Sequence, residues 1–146
     1  MRMIKMDQRA QISIEYILLV SIILIIVIVF ALVITNQSQQ NNIATAVQLG
    51  ASNATANLVF TNNSQSPIQV TYINMTNNTN NTNINIVVHF SRSVSDQKST
   101  ILNGIANSLN SSLNTNFTMV QTSSYIYLTT YTGSGAKFQN YNITLG

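Results

Sequence analysis

The sequence contains few charged residues. Asp, Glu, Lys and Arg make up only 6% of its 146 residues, whereas about 25% is usual for a soluble protein. Neutral polar residues take their place, so the solubility of a folded domain must come from amides and hydroxyls. Cysteine is absent, which excludes both a disulfide framework and metal sites built on thiolates. The length suits one domain, because domains usually span about 50 to 250 residues, so we do not expect a multidomain enzyme.

The few charges are unevenly distributed along the chain. The formal net charge is +3, and most of it comes from the first ten residues, where Arg2, Lys5 and Arg9 outnumber Asp7. The residues from Gln11 onward include three cations and two carboxylates. A nucleic-acid-binding domain normally carries a clustered basic patch, so we expect no nucleic acid among the partners.

Side chains suited to catalysis are scarce. The carboxylates are Asp7, Glu15 and Asp96, and they provide no acid and base pair in one folded domain. His89 is the single histidine, whereas a metal site needs several ligands. We interpret His89 as a strand residue that meets water or backbone, and we predict that Asp96 or a neighbouring serine caps a helix. The sequence thus predicts no enzymatic activity, no metal site and no cofactor.

One long apolar run dominates the sequence. Residues 17–34 are interrupted by Ser21 alone, and as a helix they would measure about 27 Å, close to the ~30 Å of a bilayer core. A helix that is apolar on every side needs lipid or many protein neighbours around it. Because the cations precede the run, we expect the N-terminus in the cytoplasm and the rest of the chain outside.

An ordinary secretory signal does not explain this run. Such signals have an apolar region of about 7 to 15 residues followed closely by a small-residue cleavage site. The nearest site of that kind, residues 44–46, lies well beyond Ile34. We therefore expect the apolar run to remain in the mature protein.

The residues around the start of the run resemble a known family. Ala10, Gln11, Ser13 and Glu15 follow the basic stretch and lead into the apolar run, which is similar to the class III signal peptide of archaeal type IV pilins, with its Gln-x-Ser-x-Glu pattern. The resemblance implies that a prepilin peptidase cuts between Ala10 and Gln11. It also implies that Gln11, Ser13 and Glu15 serve peptidase recognition and later assembly.

The resemblance further implies a function. A pilin is the structural subunit of an extracellular archaeal type IV pilus-like filament, a helical homopolymer that forms through the N-terminal helix after leader cleavage. Its implied partners are other copies of itself, the prepilin peptidase, the pilus assembly machinery and, before assembly, the membrane. The alternative is a single-pass surface protein or adhesin that does not polymerise and binds a ligand through its head.

We expect three parts in the chain: a cleaved leader over residues 1–10, a long helix over 11–58 and a head over 59–146. Apolar residues at three- to four-residue spacing, from Ile43 to Leu58, predict that the helix continues beyond the apolar run as an amphipathic segment over 36–58. A flexible polar stalk over 36–42, followed by a separate helix, is the alternative.

The head shows strand periodicity. Alternating apolar residues predict strands near residues 68–72, 84–90, 117–121, 125–131 and 138–145, with a turn at 133–135. Between the second and third strands, Ile101, Ile105 and Leu109 have helical spacing. The Asn- and Thr-rich tract over 76–83 is typical of a hairpin loop. The predicted class is α+β, a long helix followed by β-β-α-β-β-β.

The head is also rich in N-x-[ST] sequons, which are acceptors for N-linked glycans. We favour Asn74, Asn77 and Asn80, because their tract is too polar to bury and too rich in turn formers to pair as a strand. The remaining candidates are Asn36, Asn53, Asn62, Asn110, Asn116 and Asn142.

Three tyrosines recur in the predicted strand over 125–131. Tyr125, Tyr127 and Tyr131 are two or four residues apart, so they share one face of that strand. They could form a sugar-stacking or partner-binding surface. The alternative is that they pack against the helix or along the sheet.

Overall fold

The computed structural model describes residues 8–61, 66–78, 82–113, 116–131 and 137–146. In chain order its elements are helix α1 (Gln8–Thr61), strands β1 (Val70–Asn77) and β2 (Asn83–Phe90), a 3₁₀ turn (Ser95–Gln97), helix α2 (Lys98–Ser112), and strands β3 (Phe117–Gln121), β4 (Tyr125–Tyr131) and β5 (Lys137–Leu145). This order confirms the predicted α+β fold. Two compact units are distinguished, Met1–Gln40 and Asn41–Gly146.

The five strands form one sheet in the order β1-β2-β5-β4-β3. Strands β2 and β5 are parallel neighbours, while the other adjacent pairs are antiparallel. Parallel neighbours need a crossover connection, and here α2, β3 and β4 lie between them in the chain. The last strand is therefore placed in the centre of the sheet, between β2 and β4.

The core of the second unit lies on one face of this sheet. Alternation along the strands buries Ile86 of β2 and Ile143 of β5, because successive side chains of a strand point to opposite faces. The same buried cluster includes Val47 from α1 and Ile105 from α2. The apolar face of the sheet is thus covered by the second half of α1 and by α2.

Two glycines allow the helices to pack closely. A Cβ at Gly50 of α1 would lie 2.6 Å from the Cα of Ile105 and 2.7 Å from the carbonyl oxygen of Gly104. A Cβ at Gly104 of α2 would lie 2.6 Å from the Cβ of Ala54 and 2.9 Å from the Gly50 oxygen. Backbone therefore meets backbone at this crossing, which only glycine permits.

Part of the Asn- and Thr-rich tract belongs to strand β1 and not to a loop. Asn74 and Asn77 pair with Val87 and Ile84 in the β1–β2 ladder, so the prediction that the tract cannot pair as a strand is wrong at these two positions. Asn80 lies outside the described residues. The half-buried Ile73 and Met75 alternate with the polar residues and turn towards the core. Backbone pairing needs no apolar side chain, so the outward positions of β1 can be polar.

The predicted cap of the second helix is also wrong. Helix α2 begins at Lys98 after the 3₁₀ turn, its N-cap residue is Gln97, and no side chain makes a capping hydrogen bond there. Asp96 lies in the first turn of the 3₁₀ segment. The Gln97 amide donates to the Val94 carbonyl over 3.0 Å, so a backbone turn takes the place of a side-chain cap.

Candidate functional site

The first half of α1 carries the strongest functional signal of the chain. Neither glycine nor proline occurs between residues 8 and 49, so nothing in the sequence interrupts the helix. Every side chain from Ile14 to Ala31 is exposed, including Tyr16 at 68% and Phe30 at 63%. An uninterrupted helix with apolar side chains exposed on all sides requires lipid or other protein chains as its surroundings.

This segment is long and apolar enough to span a membrane. Within the described residues one stretch, Ile14–Ala31, meets the criteria of length and composition, with a mean hydropathy of 3.0. Its 18 residues extend about 27 Å along the helix axis. The one polar side chain in its middle, Ser21, donates its hydroxyl hydrogen to the Ile17 carbonyl over 2.7 Å, so this hydroxyl has a partner without water.

The predicted cleavage and recognition residues lie at the start of the same helix. Ala10, Gln11 and Ser13 have helical backbone, and Glu15 is helical with an exposed side chain. Gln11 and Glu15 are four residues apart, which places them on one face of α1 at successive turns. A cut before Gln11 would therefore leave a new amino group about one helical turn from the Glu15 carboxylate.

The sheet face opposite the core carries a second candidate surface. Tyr125 and Tyr127 are exposed there, so they do not pack against a helix. This exposure is compatible with the other alternative, that they pack along the sheet. Tyr131 is half-buried, and its hydroxyl lies 3.3 Å from the Thr118 hydroxyl. Two of the three tyrosines are thus available to a ligand.

A groove of about 500 Å³ lies beside these two rings. We call it the tyrosine–asparagine groove; its main lining residues are Asn83, Asn85, Tyr125, Tyr127, Asn140 and Asn142. Sequence reasoning missed the four asparagines as a group. Their alternate positions on two strands contained the signal, but only the parallel pairing of β2 with β5 places the two pairs side by side.

The sequons occupy varied positions. Asn53 on α1, Asn74 and Asn77 on β1, Asn110 on α2 and Asn116 before β3 are exposed. Asn142 on β5 is half-buried, and its amide donates to the Asn85 side chain over 3.5 Å. Asn36 lies in α1. Asn62 and Asn80 fall outside the described residues.

The single histidine and the buried tyrosine have structural surroundings. The His89 ring stacks on Tyr72 with the ring centres 4.3 Å apart. Tyr141 is fully buried and donates its hydroxyl hydrogen to the Gln139 side chain over 2.5 Å. Burial raises the pKa of the Tyr141 hydroxyl, because desolvation disfavours the phenolate. Among the described residues, no group of three or more His, Cys, Asp or Glu side chains could hold a metal ion.

Comparison with known proteins bears on the first of these sites. Residues 8–34 match the family model of the class III signal peptide, and a search of curated proteins found no match to the chain. The match covers the predicted cleavage residues and the apolar segment, and it leaves the sheet unassigned. The chain thus carries a class III signal peptide, which indicates a type IV pilin-like protein that is made as a membrane-anchored precursor and processed by a prepilin peptidase.

Proposed function

We propose that this protein is a pilin, the structural subunit of an extracellular archaeal type IV pilus-like filament. The observation that carries the proposal is the apolar segment Ile14–Ala31, none of which is buried within the chain, directly after a prepilin-type cleavage sequence. The archaeal assignment rests on the Gln-x-Ser-x-Glu pattern formed by Gln11, Ser13 and Glu15.

The same segment has two successive environments in this proposal. Before assembly it spans the membrane with Arg2, Lys5 and Arg9 on the cytoplasmic side. After assembly the segments of many copies surround one another in the core of the filament. Lipid is as apolar as leucine, so the transfer is driven by helix packing and polar pairing and not by burial from water.

Glu15 provides the polar pairing. A carboxylate at the membrane boundary gains from a cationic partner, because an unpaired charge in lipid is unfavourable. The amino group that cleavage creates on Gln11 has an ordinary pKa of about 7.7 to 8.0 and is mostly cationic at neutral pH. Glu15 of one subunit pairs with the Gln11 amine of the next and sets the axial register between them.

The second unit forms the outer wall of the filament. Its exposed residues are mainly neutral and polar, and N-linked glycans on its exposed sequons would compensate for the lack of charge. The proposal includes no catalytic role, because the sequence supplies only three carboxylates and one histidine.

Sequencing the subunit of purified surface filaments from its N-terminus tests the proposal. We expect the mature chain to begin at Gln11 and to retain the apolar segment. A chain that keeps Met1 and stays in the membrane would support the single-pass surface protein, and a chain that begins after Ala46 would contradict both.

A matched pair of variants separates cleavage from helix packing. Ala10→Ile places a bulky side chain at the cleavage junction, so we expect uncleaved precursor and no filaments. Ala31→Ile makes the same change at the far end of the apolar segment, where cleavage should be unaffected. If Ala10→Ile still yields filaments of uncleaved chains, cleavage is not required for assembly and the proposal fails.

A further inference from the structure

We propose that the tyrosine–asparagine groove is a binding site for a neutral saccharide. The groove lies on three adjacent strands, β2, β5 and β4, within the unit Asn41–Gly146. It involves none of the residues that the class III signal peptide match covers. This inference therefore stands independently of filament assembly.

The first element of the site is a hydrogen-bonded pair of amides. Asn140 donates through Nδ2 to the Oδ1 of Asn83 over 2.7 Å, and its own Oδ1 accepts from the Thr129 hydroxyl over 2.9 Å. Asn140 is 5% exposed, so the buried member of the pair holds the exposed Asn83 side chain by this hydrogen bond. Among the described residues the Nδ2 group of Asn83 has no partner, which leaves it able to donate to a ligand.

The next pair repeats this arrangement two residues further along both strands. Asn142 is directly opposite Asn85 in the parallel ladder, as Asn140 is opposite Asn83. Asn142 donates through Nδ2 to the Oδ1 of Asn85 over 3.5 Å. Within the described part of the chain, the Asn85 Nδ2 group is also without a partner. The two donor groups are about 7 Å apart along β2.

The third strand adds two aromatic rings to these amides. Tyr127 pairs with Asn142 and Tyr125 with Thr144 in the β4–β5 register, so the rings flank the amide row. They are 38% and 41% exposed. The face of an aromatic ring is electron-rich, and the C–H groups on one side of a sugar ring pack favourably on it, while the sugar hydroxyls can both donate to and accept from amides.

The neutral character of the described lining residues indicates the class of saccharide. All the described residues that line the groove are uncharged: Asn, Tyr, Thr and one Ile. A carboxylated or sulfated sugar would lose hydration without gaining a cationic partner. The volume of about 500 Å³ lies within the range of about 300 to 1,000 Å³ that is usual for small-ligand sites. A neutral oligosaccharide fits these properties best.

Binding can be measured on the full chain in a detergent that has no sugar headgroup. The probes are neutral oligosaccharides of glucose, galactose, mannose and N-acetylglucosamine, with a sulfated oligosaccharide for comparison. We expect at least one neutral probe to bind with a Kd below about 1 mM and the sulfated probe to bind more weakly. If no neutral probe binds in this range, or the sulfated probe binds best, the proposal is wrong.

Variants locate the binding to the groove. Tyr127→Ala should weaken binding about tenfold, the equivalent of about 1.4 kcal/mol, whereas Tyr127→Phe retains the ring and most of the affinity. Asn85→Asp keeps the acceptor for Asn142 but removes both amide donors, so it should also reduce affinity about tenfold. Tyr72→Ala changes an exposed tyrosine of β1 outside the groove and should leave the affinity unchanged.

Two results would overturn the assignment even if a saccharide binds. One is equal loss of binding in Tyr72→Ala and Tyr127→Ala, which would mean that the site lies elsewhere or that both variants disturb the sheet. The other is a glycan attached to Asn142 in the native protein, because the groove would then hold the chain's own sugar. Thermal unfolding of each variant and glycopeptide mapping of Asn142 provide these measurements.

Discussion

Replacement of Gly50 by alanine should destabilise the unit Asn41–Gly146, although alanine is the better helix former. In an exposed helix interior the change from glycine to alanine is favourable by about 1 kcal/mol. Here the new Cβ would lie 2.6 Å from the Ile105 Cα, 2.7 Å from the Gly104 oxygen and 2.9 Å from the Ser108 Cβ. The first two are backbone atoms of α2, which cannot rotate away.

The size of the effect follows from how far α2 must move. Ordinary contacts between carbon atoms are about 3.5 to 4.0 Å long, so α2 would have to shift by about 1 Å. Where this shift opens a gap between α2 and its neighbours, each contact loses a quarter to a half of its dispersion energy. Helix α2 contributes five buried side chains, from Ile101 to Leu109. Overpacking of this kind typically costs about 1 to 3 kcal/mol. With the gain in helix propensity of about 1 kcal/mol subtracted, the net loss of stability is at most about 2 kcal/mol.

Thermal unfolding of the full chain in detergent, followed by tyrosine near-ultraviolet circular dichroism, measures this loss. For a domain of this size, about 1 kcal/mol lowers the Tm by roughly 4 to 8 °C. Asn107→Ala is the matched control, because Asn107 is exposed on α2 and reports helix propensity alone. If Gly50→Ala raises the Tm as Asn107→Ala does, the close approach of the two helices is refuted.

Three further predictions concern assembly, glycosylation and pH. Glu15→Gln keeps the shape of the side chain but removes its charge, so we expect normal leader cleavage with few or no filaments in electron micrographs. Normal assembly of this variant would refute the pairing of Glu15 with the Gln11 amine. Loss of cleavage would instead assign Glu15 to peptidase recognition. At least one of Asn74, Asn77 and Asn80 should carry a glycan in native filaments, and glycopeptide mapping that finds all three bare would contradict this. Because burial raises the pKa of Tyr141, folding favours the neutral form of its hydroxyl. The free energy of unfolding is therefore retained below the ordinary tyrosine pKa of about 10 and decreases as the pH rises above it. In unfolding titrations Tyr141→Phe should reduce this loss of stability at alkaline pH, whereas Tyr127→Phe, at an exposed tyrosine, should not.

Local periodicity was sufficient for the element types. The spacing of Ile101, Ile105 and Leu109 predicted α2, and those three residues are fully buried. Alternation over 84–90 predicted β2, which spans Asn83–Phe90. These patterns are informative because a helix or a strand repeats its inward positions at a constant interval.

The errors arose where composition and tertiary pairing disagree. The Asn- and Thr-rich tract was expected to be a loop, yet Asn77 pairs with Ile84 in the ladder. The partner strand β2 supplies the hydrogen bonds, and Met75 supplies an inward contact. The preference of Asn and Thr for turns is weak compared with the combined effect of these hydrogen bonds and this contact, so β1 continues to Asn77.

The sequence by itself determined the features that depend on residues close together in the chain. These are the apolar helix, the cleavage motif and the order β-β-α-β-β-β. Only the tertiary structure decided that β5 lies between β2 and β4, that Gly50 and Gly104 meet at a helix crossing, and that four asparagines line one groove with two tyrosines. Each of these features joins residues far apart in the chain. Periodicity describes which face of an element is buried, but strand order and helix contacts depend on how those faces pack against each other.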